Sequence, residues 1–184
     1  RYYFDKVPNS FFYENSVINT VETHNIDNIF SNEGALSKNI KGYELRQNQL
    51  ALSKDCNDNI KNSGILIAEA ETGIGKSFSY LVSAILNDTK KTVISSSTHN
   101  LQNQLFYKDI PLISKAMLAN VKSTIVKGMN NYLCKNKFDQ SINQIDEYLT
   151  KEEIIEFVSI ILWSEVTKTG DISECNGFRI KNNE

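Results

Sequence analysis

Two glycines, a lysine and a serine stand close together between residues 73 and 77, and their chemistry suits the binding of phosphate. Gly73 and Gly75 allow a sharp turn and a close backbone approach to phosphate oxygens, where a Cβ atom would intrude. Lys76 adds a positive charge toward the β- and γ-phosphates, and the hydroxyl of Ser77 can ligate Mg²⁺. With Ala70, these residues form the phosphate-loop pattern with alanine in place of its first glycine. We therefore predict a site for the triphosphate of a nucleotide.

The segments on either side of this loop favour the same prediction. Residues 65–68 form a short apolar run that is typical of a buried strand. Apolar residues follow the loop at helical spacing: Phe78, Leu81, Val82, Ile85 and Leu86. The first turn of such a helix offers unpaired N–H groups and the positive end of the helix dipole to an anion. The alternative, an ordinary strand-to-helix turn that contains glycine, is disfavoured by the lysine–serine pair and by both flanks.

Further elements predict an α/β fold. Residues 92–96 and 123–126 read as a second and a third strand, and Ser97-Thr98 as the N-cap of a helix that ends at Pro111. A strand–loop–helix–strand–helix order predicts a parallel sheet with right-handed crossovers. Upstream, residues 28–40 predict a short helix that is interrupted near Gly34.

The character of the chain changes after residue 127. A loop leads to Cys134, and residues 138–149 predict an amphipathic helix. Thr150 and Glu153 form a capping box that opens a helix through Val166. Residues 154–163 are apolar on nearly all sides, so we expect this helix to be buried.

Length and composition bound the remaining possibilities. The 184 residues suffice for one core, or for one domain and part of a second, and we expect a piece of a longer protein. The net charge of −2 means that nucleic acid would have to bind at local patches. Three widely spaced cysteines, Cys56, Cys134 and Cys175, are typical of a reducing compartment. With no apolar run of membrane-spanning length, we expect a cytoplasmic monomer that binds no membrane.

Four segments, in this order, resemble the iron–sulfur DNA helicases of superfamily 2, especially the DinG/YoaA branch related to XPD. The family's adenine-recognition motif is similar to Gly42-Tyr43-Glu44-x-Arg46-x-x-Gln49, and its motif I is similar to Glu69-Ala70-x-Thr72-Gly73-x-Gly75-Lys76-Ser77. Motif Ia is similar to Ile94-Ser95 with Thr98-x-x-Leu101-Gln102-x-Gln104-Leu105. The start of the cluster domain is similar to Lys127-Gly128-x-x-Asn131-Tyr132-Leu133-Cys134. Residues 169–171 match more loosely.

The resemblance implies a P-loop NTPase (RecA-like) parallel sheet flanked by helices and followed by the helical start of an iron–sulfur cluster domain, all of it incomplete. Residues 42–126 would be the first half of helicase domain 1, and residues 127–184 the truncated start of the cluster domain. Residues 1–41, which are rich in aromatic side chains near the start, would pack on the motor domain. We prefer this packing role to one in base stacking.

The resemblance also implies the site residues. Gln49 would hydrogen-bond the adenine edge with help from Arg46, and Lys76 would be the catalytic residue of motif I. Mg²⁺ would be held by Ser77. The nucleotide-binding residues are predicted to be Arg46, Gln49, Thr72, Gly73, Ile74, Gly75, Lys76, Ser77 and Phe78. Single-stranded DNA would contact Thr98, His99 and Gln102 through its backbone.

A [4Fe–4S] cluster is the third implied cofactor, beside ATP and Mg²⁺. Cys134 would be the first of its four thiolate ligands, and the others are expected beyond residue 184. Cys175 is more simply an incidental thiol, as is Cys56. Two residues depart from the family: Glu71 replaces a glycine inside the phosphate loop, and Met129 replaces an arginine.

These features predict the N-terminal part of an ATP-dependent DNA helicase that moves along single-stranded DNA in repair or replication. The piece alone would be inactive, because the acidic motif II and the second motor domain would lie outside it. Two alternatives stay open: a P-loop kinase or NTPase unrelated to nucleic acid, and a degenerate, non-catalytic remnant that binds DNA.

Overall fold

A computed structural model describes residues 25–71, 73–87, 91–144 and 150–176. The chain divides into two compact units, one of Ser16–Ile125 and one of Arg1–Asn15 with Val126–Glu184. The aromatic segment near the start of the chain and Thr72 lie outside the described residues, so the predictions for them, like the domain limits, stay predictions.

Helices dominate the described residues. In chain order they are α1 (Ile26–Phe30), α2 (Ala35–Asn39), α3 (Gln47–Asn62), α4 (Lys76–Leu86), α5 (His99–Gln104), α6 (Ile110–Ala116), α7 (Lys135–Asn143) and α8 (Lys151–Val166). A π-helical turn (Leu105–Asp109) joins α5 to α6, and single 3₁₀ turns lie at Met129–Asn131 and Ile172–Glu174. None of these helices is long and apolar enough to cross a bilayer.

The core of the first unit lies among the short N-terminal helices, α4 and the α5–α6 region. Its buried apolar residues are Ile26, Ile29, Phe30, Leu36, Leu81, Val82, Leu105, Ile113, Ala116 and Met117. The predicted break at Gly34 is confirmed, because Gly34 is the N-cap that separates α1 from α2. A Cβ atom there would lie 2.6 Å from the carbonyl oxygen of Ile29, so only glycine fits this turn.

The three predicted strands show no regular secondary structure. Residues 65–68, 92–96 and 123–126 are neither helical nor paired in a ladder within the described part of the chain. The described residues do not bury the first predicted strand, since Ile65 and Ile67 are 91% and 93% exposed. A strand needs neighbours for its N–H and C=O groups, and no described segment provides them. The parallel sheet therefore stays a prediction.

Pro111 does not end the helix that begins after Thr98, contrary to the prediction. The helical run continues through α6 to Ala116. The π-helical turn accommodates the proline: the N–H of Ile110 donates to the carbonyl of Leu105, and Pro111 stands in the first turn of α6, where an N–H is dispensable.

In the second unit, the predicted capping box is confirmed. The Thr150 hydroxyl accepts from the Glu153 N–H, and the Glu153 carboxylate accepts from the Thr150 N–H at 2.9 Å. The predicted burial of α8 is wrong, however, because its apolar residues Ile155, Val158, Leu162 and Val166 are 73%, 45%, 67% and 74% exposed. A helix that is apolar on all sides needs neighbours all round. Among the described residues, the ring of Phe157 in α8 has an aromatic neighbour in α7, Phe138, at 5.7 Å.

Candidate nucleotide-binding site

The phosphate-loop residues form a turn that enters the N-terminus of α4, as predicted. Gly73 and Gly75 have φ angles of 86° and 90°, in the left-handed region that glycine adopts without strain. Gly75 is the N-cap of α4, and Lys76 and Ser77 form its first turn. Backbone N–H groups of this first turn have no partner inside the helix, so they are free to face an anion.

The Lys76 side chain lies back over the loop. Its Nζ atom donates to the carbonyl oxygens of Ala70 at 2.7 Å and of Glu71 at 2.8 Å. These two bonds hold the ammonium group at the mouth of the turn, where a phosphate could compete for it. Glu71 itself is exposed, so the residue that departs from the family pattern occupies a surface position of the loop.

Arg46 and Gln49 meet the same loop from α3. Arg46 Nη1 donates to the Gly73 carbonyl, and Gln49 Nε2 donates to the Gly75 carbonyl at 3.1 Å. Gln49 is 4% exposed, and a Cβ atom on residue 75 would collide with its amide. The structure thus brings the two predicted adenine residues to the phosphate loop, although their contact with a base stays a prediction.

The loop before α3 is fastened to the core by Tyr43. Its hydroxyl donates to the Phe30 carbonyl at 3.0 Å. Burial raises the pKa of Tyr43 above its usual value, against the lowering effect of the Arg46 charge. The phenol therefore stays protonated at neutral pH and keeps its role as a donor.

Helices α3 and α4 share a run of polar side chains that sequence analysis missed. We name it the polar seam: Gln49, Ser53 and Asn57 on α3, and Ser79 and Ser83 on α4 with Asn87, the C-cap residue of α4. Ser53, Ser79 and Ser83 are fully buried. The signal in the sequence is a polar residue at every fourth position of two successive helices, which places each set on one helix face.

The other residues predicted to bind the nucleotide differ in burial and packing. Ile74 and Ser77 are half-buried, and Phe78 packs against the hydrophobic core. Phe78 therefore anchors α4 in the structure, and its predicted contact with a nucleotide stays untested.

The residues predicted to bind DNA begin α5. Thr98 is its N-cap, as predicted, with a hydroxyl that accepts from the Leu101 N–H at 3.2 Å. Thr98 and His99 are exposed, and Gln102 is half-buried. Their contact with a single strand stays a prediction.

Cys134 is the N-cap residue of α7 and is half-buried. Among the described residues, no group of three or more histidine, cysteine, aspartate or glutamate side chains could hold a metal. A [4Fe–4S] cluster needs four thiolates, so the described residues do not by themselves fit the cluster. The role of Cys134 as a ligand stays a prediction.

The other two thiols have structural surroundings. Cys175 is buried, and its Sγ lies 3.6 Å from the Ser159 carbonyl oxygen. Burial, and then the charge of Asp55, raise the pKa of the Cys56 thiol. A thiol that resists ionisation is a poor metal ligand, which agrees with an incidental Cys56.

The loop before Cys134 is tied to residues 170–174 by a buried ion pair. Lys127 Nζ lies 2.5 Å from Asp171 Oδ2, and both side chains are 8% exposed. Burial alone would raise the pKa of Asp171, but hydrogen bonds from Lys127 and Ser173 and the Lys127 charge outweigh it and lower that pKa. The Leu133 N–H also donates to the Gly170 carbonyl at 2.9 Å. The sequence singled out both segments but not their contact.

Comparison with known proteins finds relatives that match most of this chain. It is 43% identical over 150 residues to the "ATP-dependent DNA helicase YoaA" of Haemophilus influenzae, covering 82% of the chain and 23% of that protein. It is 34% identical over 146 residues to the Escherichia coli protein of the same name, covering 79% of the chain and 23% of that protein. The "3'-5' exonuclease DinG" of Bacillus subtilis is 33% identical over 148 residues, covering 79% of the chain and 16% of that protein.

The chain thus spans less than a quarter of the length of these curated relatives. No family model matches it, and no solved structure matches it.

Proposed function

Because this chain belongs to the family of the YoaA and DinG proteins, we propose that it is the N-terminal, nucleotide-binding part of an ATP-dependent DNA helicase. The observation that carries the proposal is the phosphate loop, which enters the first turn of α4 with two left-handed glycines and the Lys76 ammonium at its mouth. This geometry supports binding of a nucleotide triphosphate.

In the proposed site, each residue has a separate task. Lys76 leaves the loop carbonyls for the β- and γ-phosphates, and Ser77 ligates the Mg²⁺ that neutralises them. Gln49 recognises the adenine edge, because one amide supplies both the donor and the acceptor that adenine requires. Arg46, already bonded to the Gly73 carbonyl, keeps this recognition residue next to the phosphates.

The exposed apolar segments also find a role in this proposal. Residues 65–68 and 92–96 would become adjacent strands of a RecA-like parallel sheet, which would bury Ile65, Ile67 and Val93. The start of α5, with Thr98, His99 and Gln102, would then face single-stranded DNA in the cytoplasm. Contacts to the DNA backbone are independent of sequence, as movement along a strand requires.

Two further parts of the proposal concern the rest of the protein. Cys134 would be one ligand of an iron–sulfur cluster that residues outside this chain complete. Hydrolysis would need an acidic motif and a second motor domain, so the 184 residues alone would bind nucleotide weakly and not hydrolyse it.

The test measures the rate of ATP hydrolysis by the full-length protein with and without single-stranded DNA. We expect single-stranded DNA to raise the rate, and Lys76→Ala to lower it at least about 100-fold, the scale of losing one preorganised charge contact. Lys61→Ala, at an exposed position in the last turn of α3, is the matched control and should leave the rate unchanged. If DNA does not change the rate of hydrolysis, a kinase or another NTPase is favoured. If the protein neither binds nor hydrolyses nucleotide, a degenerate remnant is favoured.

A further inference from the structure

We infer that the polar seam is a positioning device for base selection, in which Ser79 fixes Gln49 against the phosphate loop. This inference rests on the proposed nucleotide site. It adds to that site a residue that touches no nucleotide and acts through Gln49.

The seam sets the register between two helices. Three contacts join residues that are each 30 positions apart: Ser79 Oγ donates to the Gln49 carbonyl at 3.0 Å, Ser83 Oγ to the Ser53 carbonyl at 2.8 Å, and Asn87 Nδ2 to Asn57 Oδ1 at 3.0 Å. A constant separation means that α3 and α4 lie side by side and run in the same direction.

Because the contacts are directional and the serine hydroxyls among them are fully buried, only one register satisfies them. Ser53 Oγ lies 3.2 Å from the Ser79 carbonyl and 3.3 Å from Ser83 Oγ, so its hydroxyl is surrounded by polar partners from α4. Sliding one helix by a turn would break these bonds together and leave buried polar groups unpaired, each at a substantial cost. An apolar interface of the same size would tolerate such sliding, since hydrophobic contact has no preferred direction.

The seam ends at the residues that form the site. The Gln49 backbone carbonyl accepts from Ser79, while the Gln49 side-chain amide donates to the carbonyl of Gly75, the N-cap of α4. Gln49 is therefore held at both ends by the helix that carries the phosphate loop. An amide can select one base edge only if its position is fixed within about half an ångström, so loss of the Ser79 bond should weaken selection.

The test compares the binding of Mg·ATP and of Mg·GTP to the full-length protein. The measured quantity is the ratio of the two dissociation constants, with thermal stability recorded in parallel. We expect Ser79→Ala to lower the preference for ATP about fivefold, the factor that corresponds to one buried hydrogen bond. Ser37→Ala is the matched control, since that hydroxyl also donates to a backbone carbonyl, at 2.7 Å, but lies outside the seam.

A double variant separates positioning from general weakening. If Ser79 acts through Gln49, then Ser79→Ala should change nothing further in the ratio once Gln49→Ala is present. An unchanged ratio in Ser79→Ala alone would overturn the inference. So would an equal loss of affinity for both nucleotides, which a purely structural serine would cause. If the natural sequence binds neither nucleotide, the proposed function fails, and this inference fails with it.

Discussion

The buried ion pair between Lys127 and Asp171 gives the sharpest stability prediction. We consider Lys127→Met, which keeps the length of the side chain and removes its charge. Both original side chains are 8% exposed, and among the described residues the carboxylate would keep the N–H and hydroxyl of Ser173 as donors, at 3.0 and 2.7 Å. Removing one member of a buried pair costs about 3 to 5 kcal/mol. Because two donors stay, we expect the free energy of unfolding to fall by about 3 kcal/mol, the lower end of that range.

The single tryptophan of the chain, Trp163, provides the assay because it lies in α8, in the same unit as the pair. Urea unfolding followed by its fluorescence reports on this unit. For so small a unit, the free energy of unfolding should fall by about 1 kcal/mol per M of urea, so a loss of about 3 kcal/mol should lower the urea midpoint by about 3 M. Lys168→Met, a change at an exposed lysine of the same unit, should move the midpoint by less than about 0.5 M.

Two further measurements test the physical reasoning. The double variant Lys127→Met/Asp171→Leu should recover most of the loss, because an apolar pair leaves no charge buried alone. The folded-state pKa of Asp171 is lowered, so the stabilisation by its carboxylate is complete above the unfolded-state value of about 3.9 and disappears as the pH falls through the lower folded-state pKa. In Lys127→Met this loss on acidification should shrink, since the hydrogen bond and charge of Lys127 no longer oppose the effect of burial on that pKa. A midpoint that matches the Lys168 control would refute the ion pair as a source of stability.

Three further predictions concern backbone and capping. Gly34→Ala should unfold the first unit, or lower its free energy of unfolding by more than about 3 kcal/mol, because the added Cβ would collide with backbone carbonyl groups. Circular dichroism during thermal unfolding would measure this, and an unchanged melting temperature would contradict it. Thr150→Ala should cost the second unit about 1 kcal/mol by removing the acceptor of the Glu153 N–H, whereas Thr150→Ser should preserve stability in the same tryptophan assay. Gly75→Ala should weaken ATP binding at least about tenfold in a nucleotide titration, since the methyl group is strained at this φ and collides with Gln49; wild-type affinity would show that the loop adopts another conformation.

Part of the candidate site could be predicted because its parts are contiguous in the chain. The left-handed glycines, the start of α4 beside Lys76 and the Thr98 cap depend on local backbone preferences that each motif carries by itself. The resemblance of four ordered motifs also indicated the family that the relatives share. Local pattern could not show that Pro111 would be absorbed by a π-helical turn, because that outcome depends on how the helix packs on the core.

By itself, the sequence determined where α4, α5 and α8 begin, where the phosphate loop turns and which family the chain resembles, because capping, glycine conformation and helical periodicity act within a few residues. Only the tertiary structure decided that Gln49 lies against Gly75, that the polar seam fixes two helices in one register, and that Lys127 pairs with Asp171. Those contacts join residues 26 to 44 positions apart. Burial of a polar group is decided by its neighbours in space, and the linear pattern of one segment does not contain them.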